Sequence, residues 1–344
     1  NAASDGAKNG VMSILDSELR WYRSAVSSDL PANGGVMSDA EIVSGVTGNL
    51  FPSATVEQRT VGATMYRKMF AKVANASSLP MYSPRIWQDA NTDGDDRITF
   101  FAGTQRNTQA GLSGSEMLFG TGSLNASVSA GASSITVLVE DGTKILFRSG
   151  ETLRISDRAT PDGAGNEQWI VIASAPTVVG NVVTIALATP LANNYLAPGT
   201  KVSSVYMPGT VESSRTTPVV TSVSGSVTLT PDVSDITTHS IGTVEQTWTL
   251  TFATSTTFNI TGDLLGLVAA GNVSSPTAPN NPAYGVPYFT IDAAVFGGSF
   301  LAGDTVVFST SPCAVPIWVK RVIPAGAGTV SNNKSSFYID GESD

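Results

Sequence analysis

The sequence is poor in the residues that carry most protein chemistry. It contains one cysteine, Cys313, so no disulfide can form within the chain. It contains one histidine, His239, and histidine is the usual metal ligand and the usual general base. With one cysteine and one histidine, most types of metal-binding site and most forms of general acid–base catalysis are disfavoured. We therefore expect a protein without enzymatic activity and without a resident cofactor.

Charged residues are also scarce, at 14% against roughly 25% in a typical soluble domain. The net charge of −9 argues against a broad phosphate-binding surface, so we expect no specific nucleic-acid binding. No apolar run approaches the roughly 18 to 20 residues that span a bilayer, so we expect no membrane span. The first residues lack the charged-then-apolar pattern of a signal peptide, which predicts synthesis in a cytoplasm.

The residues that replace the missing charges favour strands and turns. Val and Thr are typical of strands, and Gly, Asn and Pro are typical of the turns between them. The segments ITVLVE (135–140) and VVTIAL (182–187) alternate apolar and polar residues, as half-buried strands do. The sequence therefore predicts a mainly β protein with two or three β-sandwich or small-barrel domains and a short, partly helical N-terminal arm.

The spacing of strand and turn signals divides the chain into four parts. Residues 1–45 form the arm, in which SILDSELRWYRSA and SDAEIVSG have helical spacing. Residues 46–128 form a β-domain, 129–207 a small β-barrel or sandwich unit, and 208–344 a β-domain with a long loop at 271–287. The first and last β-domains could also form one body, with the middle unit inserted. We expect the arm and the terminal DGESD segment to reach neighbouring copies.

The sharpest chemical motif is the segment DANTDGDD, which begins at Asp89. Asp89, Asn91 and Asp93 match the opening of a calcium-binding loop, in which carboxylates and a turn glycine surround a hard cation. That loop needs a glutamate at its twelfth position, which is Phe100 here. A polar hairpin turn between two strands explains the same residues, so a calcium site at this turn is one of two readings.

The other candidate chemistries lack partners in the sequence. A serine nucleophile would need His239 as its base, and His239 lies in a polar, turn-like setting. A glycosidase would need two facing carboxylates, and no spacing marks such a pair. Cys313 lies between two prolines with no basic neighbour, which indicates a buried or interface thiol.

Three stretches resemble structural proteins of tailed bacteriophages. Residues 63–110 are similar to a virion segment in which a Y-R-K-hydrophobic strand precedes an asparagine turn. Residues 129–195, with an S-I-T-V strand and a T-P-L-A turn, resemble a small β-unit of phage tail and baseplate proteins. Residues 281–327 resemble the C-terminal part of proteins from Mu-like phages. The middle stretch departs from its usual form in the longer and more charged segment VEDGTKILFRSG.

The resemblance implies a structural virion protein that forms a ring or stack of identical copies in the tail, tail tube or neck. Its partners would be further copies and other virion proteins, and its location the phage particle after synthesis in the host cytoplasm. The alternatives are a capsid decoration or minor head protein, and a receptor-binding or glycan-cleaving tail protein.

Overall fold

The structure, a computed structural model, describes residues 13–221, 227–229, 235–331 and 333–343. The prediction of a mainly β protein is confirmed, and the strands form several antiparallel sheets. Within those ranges one α-helix is present, α1 (Val56–Val61), besides short 3-10 turns at Asp16–Glu18, Gln109–Gly111 and Ala293–Val295.

The strands follow one another along the chain in three groups. The first group is β1 (Leu19–Val26), β2 (Gly34–Glu41), β3 (Ala63–Val73), β4 (Tyr82–Ala90) and β5 (Arg97–Ala102). The second group is β6 (Thr121–Leu124), β7 (Ser134–Leu138), β8 (Thr152–Ser156), β9 (Glu167–Val171), β10 (Thr177–Val179), β11 (Val182–Ala186) and β12 (Lys201–Ser204). The third group is β13 (Ser214–Arg215), β14 (Val219–Thr221), β15 (Val227–Leu229), β16 (Ile236–Thr238), β17 (Gln246–Phe252), β18 (Thr257–Gly262), β19 (Gly266–Asn272), β20 (Asn280–Asn281), β21 (Val286–Pro287), β22 (Phe289–Ile291), β23 (Phe296–Gly298), β24 (Thr305–Ser311), β25 (Ala314–Ile323) and β26 (Ser336–Glu342).

A five-stranded sheet unites the two ends of the chain. Its strand order is β2-β1-β3-β25-β5, so β25 lies between β3 and β5 and pairs with both. Strand β26 pairs with β4 in a separate two-stranded sheet. Apolar side chains from these strands form one core, in which Phe100, Ile86 and Ile317 are fully buried. The N-terminal and C-terminal parts of the chain therefore share a hydrophobic core.

The second group of strands forms a seven-stranded sheet in the order β10-β11-β7-β6-β12-β8-β9. It does not close into a barrel, although an isolated bridge joins Ile172 to Leu187. The predicted strands ITVLVE and VVTIAL are β7 and β11 and pair with each other. Their inward residues, Val137 and Ile185 among them, form the core of this unit. The alternation in the sequence therefore matches the buried face of the sheet.

A six-stranded sheet carries most of the third group, in the order β13-β24-β17-β18-β19, with β14 also pairing with β24. Its core is rich in aromatic rings, because Trp248, Phe252 and Phe289 are all fully buried. The rings of Phe252 and Phe300 stack at 3.9 Å between centroids. Strand β19 is an edge strand of this sheet and pairs with β18 on one side.

The helical prediction for the arm holds only for the 3-10 turn at Asp16–Glu18 and is wrong for the residues that follow it. Residues 19–26 form β1, which pairs in antiparallel register with β3 from Leu19 opposite Val73 to Arg23 opposite Met69. The second predicted helical turn falls partly in β2, which pairs with the other side of β1. Local helix propensity is weak, and burial against a paired strand overrides it. Residues 1–12 of the arm lie outside the described residues.

Contact of DGESD with neighbours stays a prediction, and its described part is bound within its own chain. Residues 336–342 are β26, paired with β4 of the same chain, and Asp340 forms an ion pair with Arg85 at 2.6 Å. This terminus is therefore bound within the chain up to Ser343, while Asp344 lies outside the described residues.

Candidate functional site

The first residue of the predicted calcium turn, Asp89, is buried at the end of β4. One of its carboxylate oxygens accepts from Arg154 Nη1 at 2.8 Å, and the other is bound by the Lys201 ammonium. Arg154 is fully buried, forms a second ion pair with Glu167, and its guanidinium lies 5.1 Å from the ring centre of Trp87. Asp89 therefore joins β4 to the strands β8 and β12 of the seven-stranded sheet.

The remainder of the turn is held by other parts of the same chain. The Thr92 hydroxyl donates to the carbonyl of Asp96 at 2.6 Å, and the Gly94 N–H donates to the Asn333 side chain at 3.0 Å. Asp96 accepts from Arg321 Nε at 2.8 Å. The turn is not a hairpin, because β4 pairs with β26 and β5 pairs with β25. It is a connection between two sheets.

Calcium binding by Asp89, Asn91 and Asp93 stays a prediction. Asn91 and Asp93 lie in the turn, whereas Asp89 uses both carboxylate oxygens on Arg154 and Lys201. Among the residues that the structure describes, no three His, Cys, Asp or Glu side chains are grouped so that they could hold a metal ion. A cation at this turn would therefore have to compete with the two bound cationic side chains for Asp89.

The two rare residues are both withdrawn from solvent, one partly and one fully. His239 is half-buried, and its Nε2 lies 3.1 Å from the Thr290 hydroxyl, while burial lowers its pKa. Cys313 is fully buried, its sulfur lies 3.5 Å from the carbonyl oxygen of Val211, and burial raises its pKa to about 11. The prediction of a buried thiol is confirmed. A thiol with this pKa is not a nucleophile near neutral pH.

Buried lysine side chains form further connections. The Lys72 ammonium donates to the carbonyl of Ile241 at 2.6 Å and lies 3.7 Å from the ring centre of Tyr284, which belongs to the predicted long loop. Desolvation lowers its pKa to about 8. The Lys68 ammonium donates to three carbonyls, of Gly35, Gln105 and Asn107, at 2.6, 3.2 and 3.1 Å. Both lysines therefore hold loops against the five-stranded sheet.

A third connection reaches the six-stranded sheet. Arg106, in the loop after β5, binds Glu245 at 2.9 Å and Asp263 at 2.5 Å. Asp263 also accepts from the N–H of Thr247 at 2.7 Å, and these bonds to Asp263 lower its pKa against the opposing effect of burial. We call the connections made by Asp89, Lys72 and Arg106, which are three among several, the ties between the sheets.

A groove of about 280 Å³ lies where the segments that connect the sheets meet. Its lining includes Tyr206, Glu212, Ser311 and three prolines. The Ser311 hydroxyl donates to Glu245 at 2.8 Å, and Glu245 is also bound by Arg106. The Ser311 hydroxyl and Glu245 are therefore part of the network of contacts around Arg106.

The most unusual surface feature is an exposed apolar strip at the tip and edge of β19. Leu264, Leu265 and Leu267 are 56%, 45% and 68% exposed. We call these three residues together with β19 the leucine edge. Sequence reasoning missed it, because GDLLGLVAAGN lacks the alternation of a half-buried strand. The sequence feature that could have revealed the leucine edge is the absence of charge, since residues 264–291 contain no Lys, Arg, Asp or Glu.

The tip of the leucine edge is held in place by polar contacts. Asp263, directly before it, is bound by Arg106 and by the Thr247 N–H. The Leu264 N–H donates to the Gln246 side chain at 3.0 Å. Gly266 has a φ of +72°, a left-handed conformation that glycine adopts without steric cost. The exposed leucines are therefore presented on a rigid turn.

None of the helices in the described ranges is long and apolar enough to cross a membrane. No family model matches the sequence, and searches of curated proteins and of solved structures find no match to it either.

Proposed function

We propose that this chain is a structural protein of a tailed-phage particle, which forms a symmetric assembly of identical copies in the tail, tail tube or neck. The observation that carries the proposal is the leucine edge. Single exposed apolar residues are common, but a charge-free edge strand that contains one exposed leucine and follows two others is typical of a surface that is covered in an assembly. Its partners would be further copies and neighbouring virion proteins.

The ties between the sheets support the same function. Asp89 joins β4 to the seven-stranded sheet through ion pairs, Lys72 binds the loop carbonyl of Ile241, and Arg106 binds two acids beside the six-stranded sheet. Asp89 and Lys72 are buried. Buried charges that are paired hold one arrangement of the parts they connect, because any other arrangement leaves a charge without a partner. A subunit of a ring or stack needs this fixed arrangement, since each interface repeats around the symmetry axis.

The assignment to a phage particle rests on the resemblance of residues 63–110, 129–195 and 281–327 to phage structural proteins. The mainly β architecture is compatible with that resemblance. Location in the virion and synthesis in the host cytoplasm follow from the same proposal.

Electron microscopy of the purified chain and of particles tests this function. We expect the chain to form rings or stacks with a defined symmetry at high concentration. Antibodies against the chain should label the tail or neck of particles released from cells that carry its coding sequence. Labelling spread evenly over the capsid would contradict the tail and neck assignment, and unlabelled particles would contradict the virion assignment.

A further inference from the structure

We infer that the leucine edge binds a second copy of this chain, by antiparallel pairing of β19 with β19 of the neighbour. This inference rests on the proposed self-assembly and names the surface and the partner. Strand β19 pairs with β18 on one side, and no described strand pairs with its other side. An edge strand directs alternate N–H and C=O groups outward, where another strand can pair with them.

The edge lacks two of the devices that normally prevent such pairing, charge and proline, although a register shift leaves Val268 of β19 unpaired between Leu267 and Ala269. Edge strands are usually protected by charged side chains, especially lysine, or by proline. Strand β19 contains neither, and its outward residues include Leu267 and Ala270, which are both exposed. The edge strand β2 shows the contrast, because Asp39 and Glu41 lie in it. Two copies of β2 would bring like charges together, whereas two copies of β19 would not.

The charge distribution favours a second copy over an unrelated partner. The chain carries a net charge of −9, so copies repel one another wherever acidic surfaces meet. The acid next to the edge, Asp263, is ion-paired with Arg106, which also binds Glu245. The edge offers no charged group that an unrelated protein could recognise, and a charge-free strand is complementary to itself across a twofold axis.

The rigid tip reduces the cost of association. Because the Leu264 N–H and Asp263 are already bound to Gln246 and Arg106, the backbone of the tip does not have to be ordered when a neighbour binds. The seven residues of β19 are nevertheless few against the roughly 20–30 residues per partner of a stable complex. The pairing is therefore weak between isolated copies and becomes populated when other contacts of the assembly raise the local concentration.

Cysteine cross-linking tests the inference, because the native Cys313 is fully buried. The variant Ala270→Cys places a thiol on the exposed face of β19. The matched control Ala40→Cys makes the same change at an exposed position of the acidic edge strand β2. With a short bis-maleimide at concentrations on the order of 100 µM, suited to a weak interface, Ala270→Cys should give several-fold more covalent dimer than Ala40→Cys.

A second variant controls for random collision. Adding Leu267→Lys to Ala270→Cys should reduce the dimer to the level of the control, because a lysine on each copy would face the other. Leu267 is largely exposed, so the thermal unfolding of this variant should match that of Ala270→Cys. Equal dimer from Ala270→Cys and Ala40→Cys, or dimer that survives Leu267→Lys, would overturn the inference. If rings form but position 270 does not cross-link, the proposed function remains supported and the interface between copies lies at another surface.

Discussion

The tie at Asp89 makes a quantitative prediction about stability. The variant Asp89→Asn removes one charge from a site where Asp89 and Arg154 are both buried. Breaking a buried ion pair by changing one partner costs about 3–5 kcal/mol, because the other charge is left without compensation. Arg154 keeps its bond to Glu167, so we expect the lower end of this range, about 3 kcal/mol.

A surface ion pair provides the matched control. Glu41→Gln removes the partner of Arg20 in a pair whose side chains are 39% and 44% exposed. Exposed pairs contribute less than about 1 kcal/mol, so this variant should unfold almost as the unmodified chain does. Urea unfolding followed by tryptophan fluorescence measures both, and Trp87 and Trp169 report locally because both rings lie within 6 Å of the Arg154 guanidinium.

A double variant tests whether Asp89 and Arg154 interact directly. Arg154→Met in the Asp89→Asn background removes the guanidinium that loses its bond to Asp89, so the two changes together should cost less than the sum of the single changes. A cost of Asp89→Asn that equals that of Glu41→Gln would refute the assignment of Asp89 as a buried tie. Additive costs in the double variant would refute its direct coupling to Arg154.

Further predictions concern pH, metal binding and backbone geometry. Desolvation lowers the pKa of Lys68 from 10.5 to about 7, so between these pH values the unfolded chain binds more protons than the folded chain. The free energy of unfolding should therefore rise with pH across this window. Urea titrations at several pH values measure this rise, and Lys68→Met should flatten it. If the predicted turn binds calcium, Ca²⁺ should raise the melting temperature of the chain and chelation should lower it. Asp93→Asn should abolish both effects. A melting temperature that does not change with Ca²⁺ would contradict the site. Gly34→Ala places a Cβ 2.7 Å from the Trp318 ring, whereas Gly35→Ala meets nothing within 4 Å, although both glycines have positive φ. The first variant should therefore lose about 2 kcal/mol or more relative to the second in thermal unfolding, and equal losses would contradict the packing.

The sequence predicted the features that depend on local pattern. The strands β7 and β11 could be identified from the alternation of ITVLVE and VVTIAL, because residues that point to one face of a strand share one environment. The burial of Cys313 could be predicted for a similar reason, since its neighbours are apolar or proline.

Features that depend on distant residues could not be predicted in this way. Strand β1 has the local spacing of a helix and becomes a strand because it pairs with β3, about fifty residues away. Asp89 begins a calcium-like motif, yet its partners Arg154 and Lys201 come from another sheet. The pairing of β25 between β3 and β5 joins residues that lie far apart in the sequence, and no local pattern encodes such pairing.

The central claim is that this chain functions by assembling with copies of itself. Sedimentation velocity of the full chain over a wide range of concentrations tests this claim most directly. The monomer has a mass of 35.5 kDa. We predict that the weight-average mass rises with concentration toward a defined multiple of this value, and that Leu267→Lys shifts the rise to higher concentration. A mass that stays at 35.5 kDa at every concentration would contradict the claim.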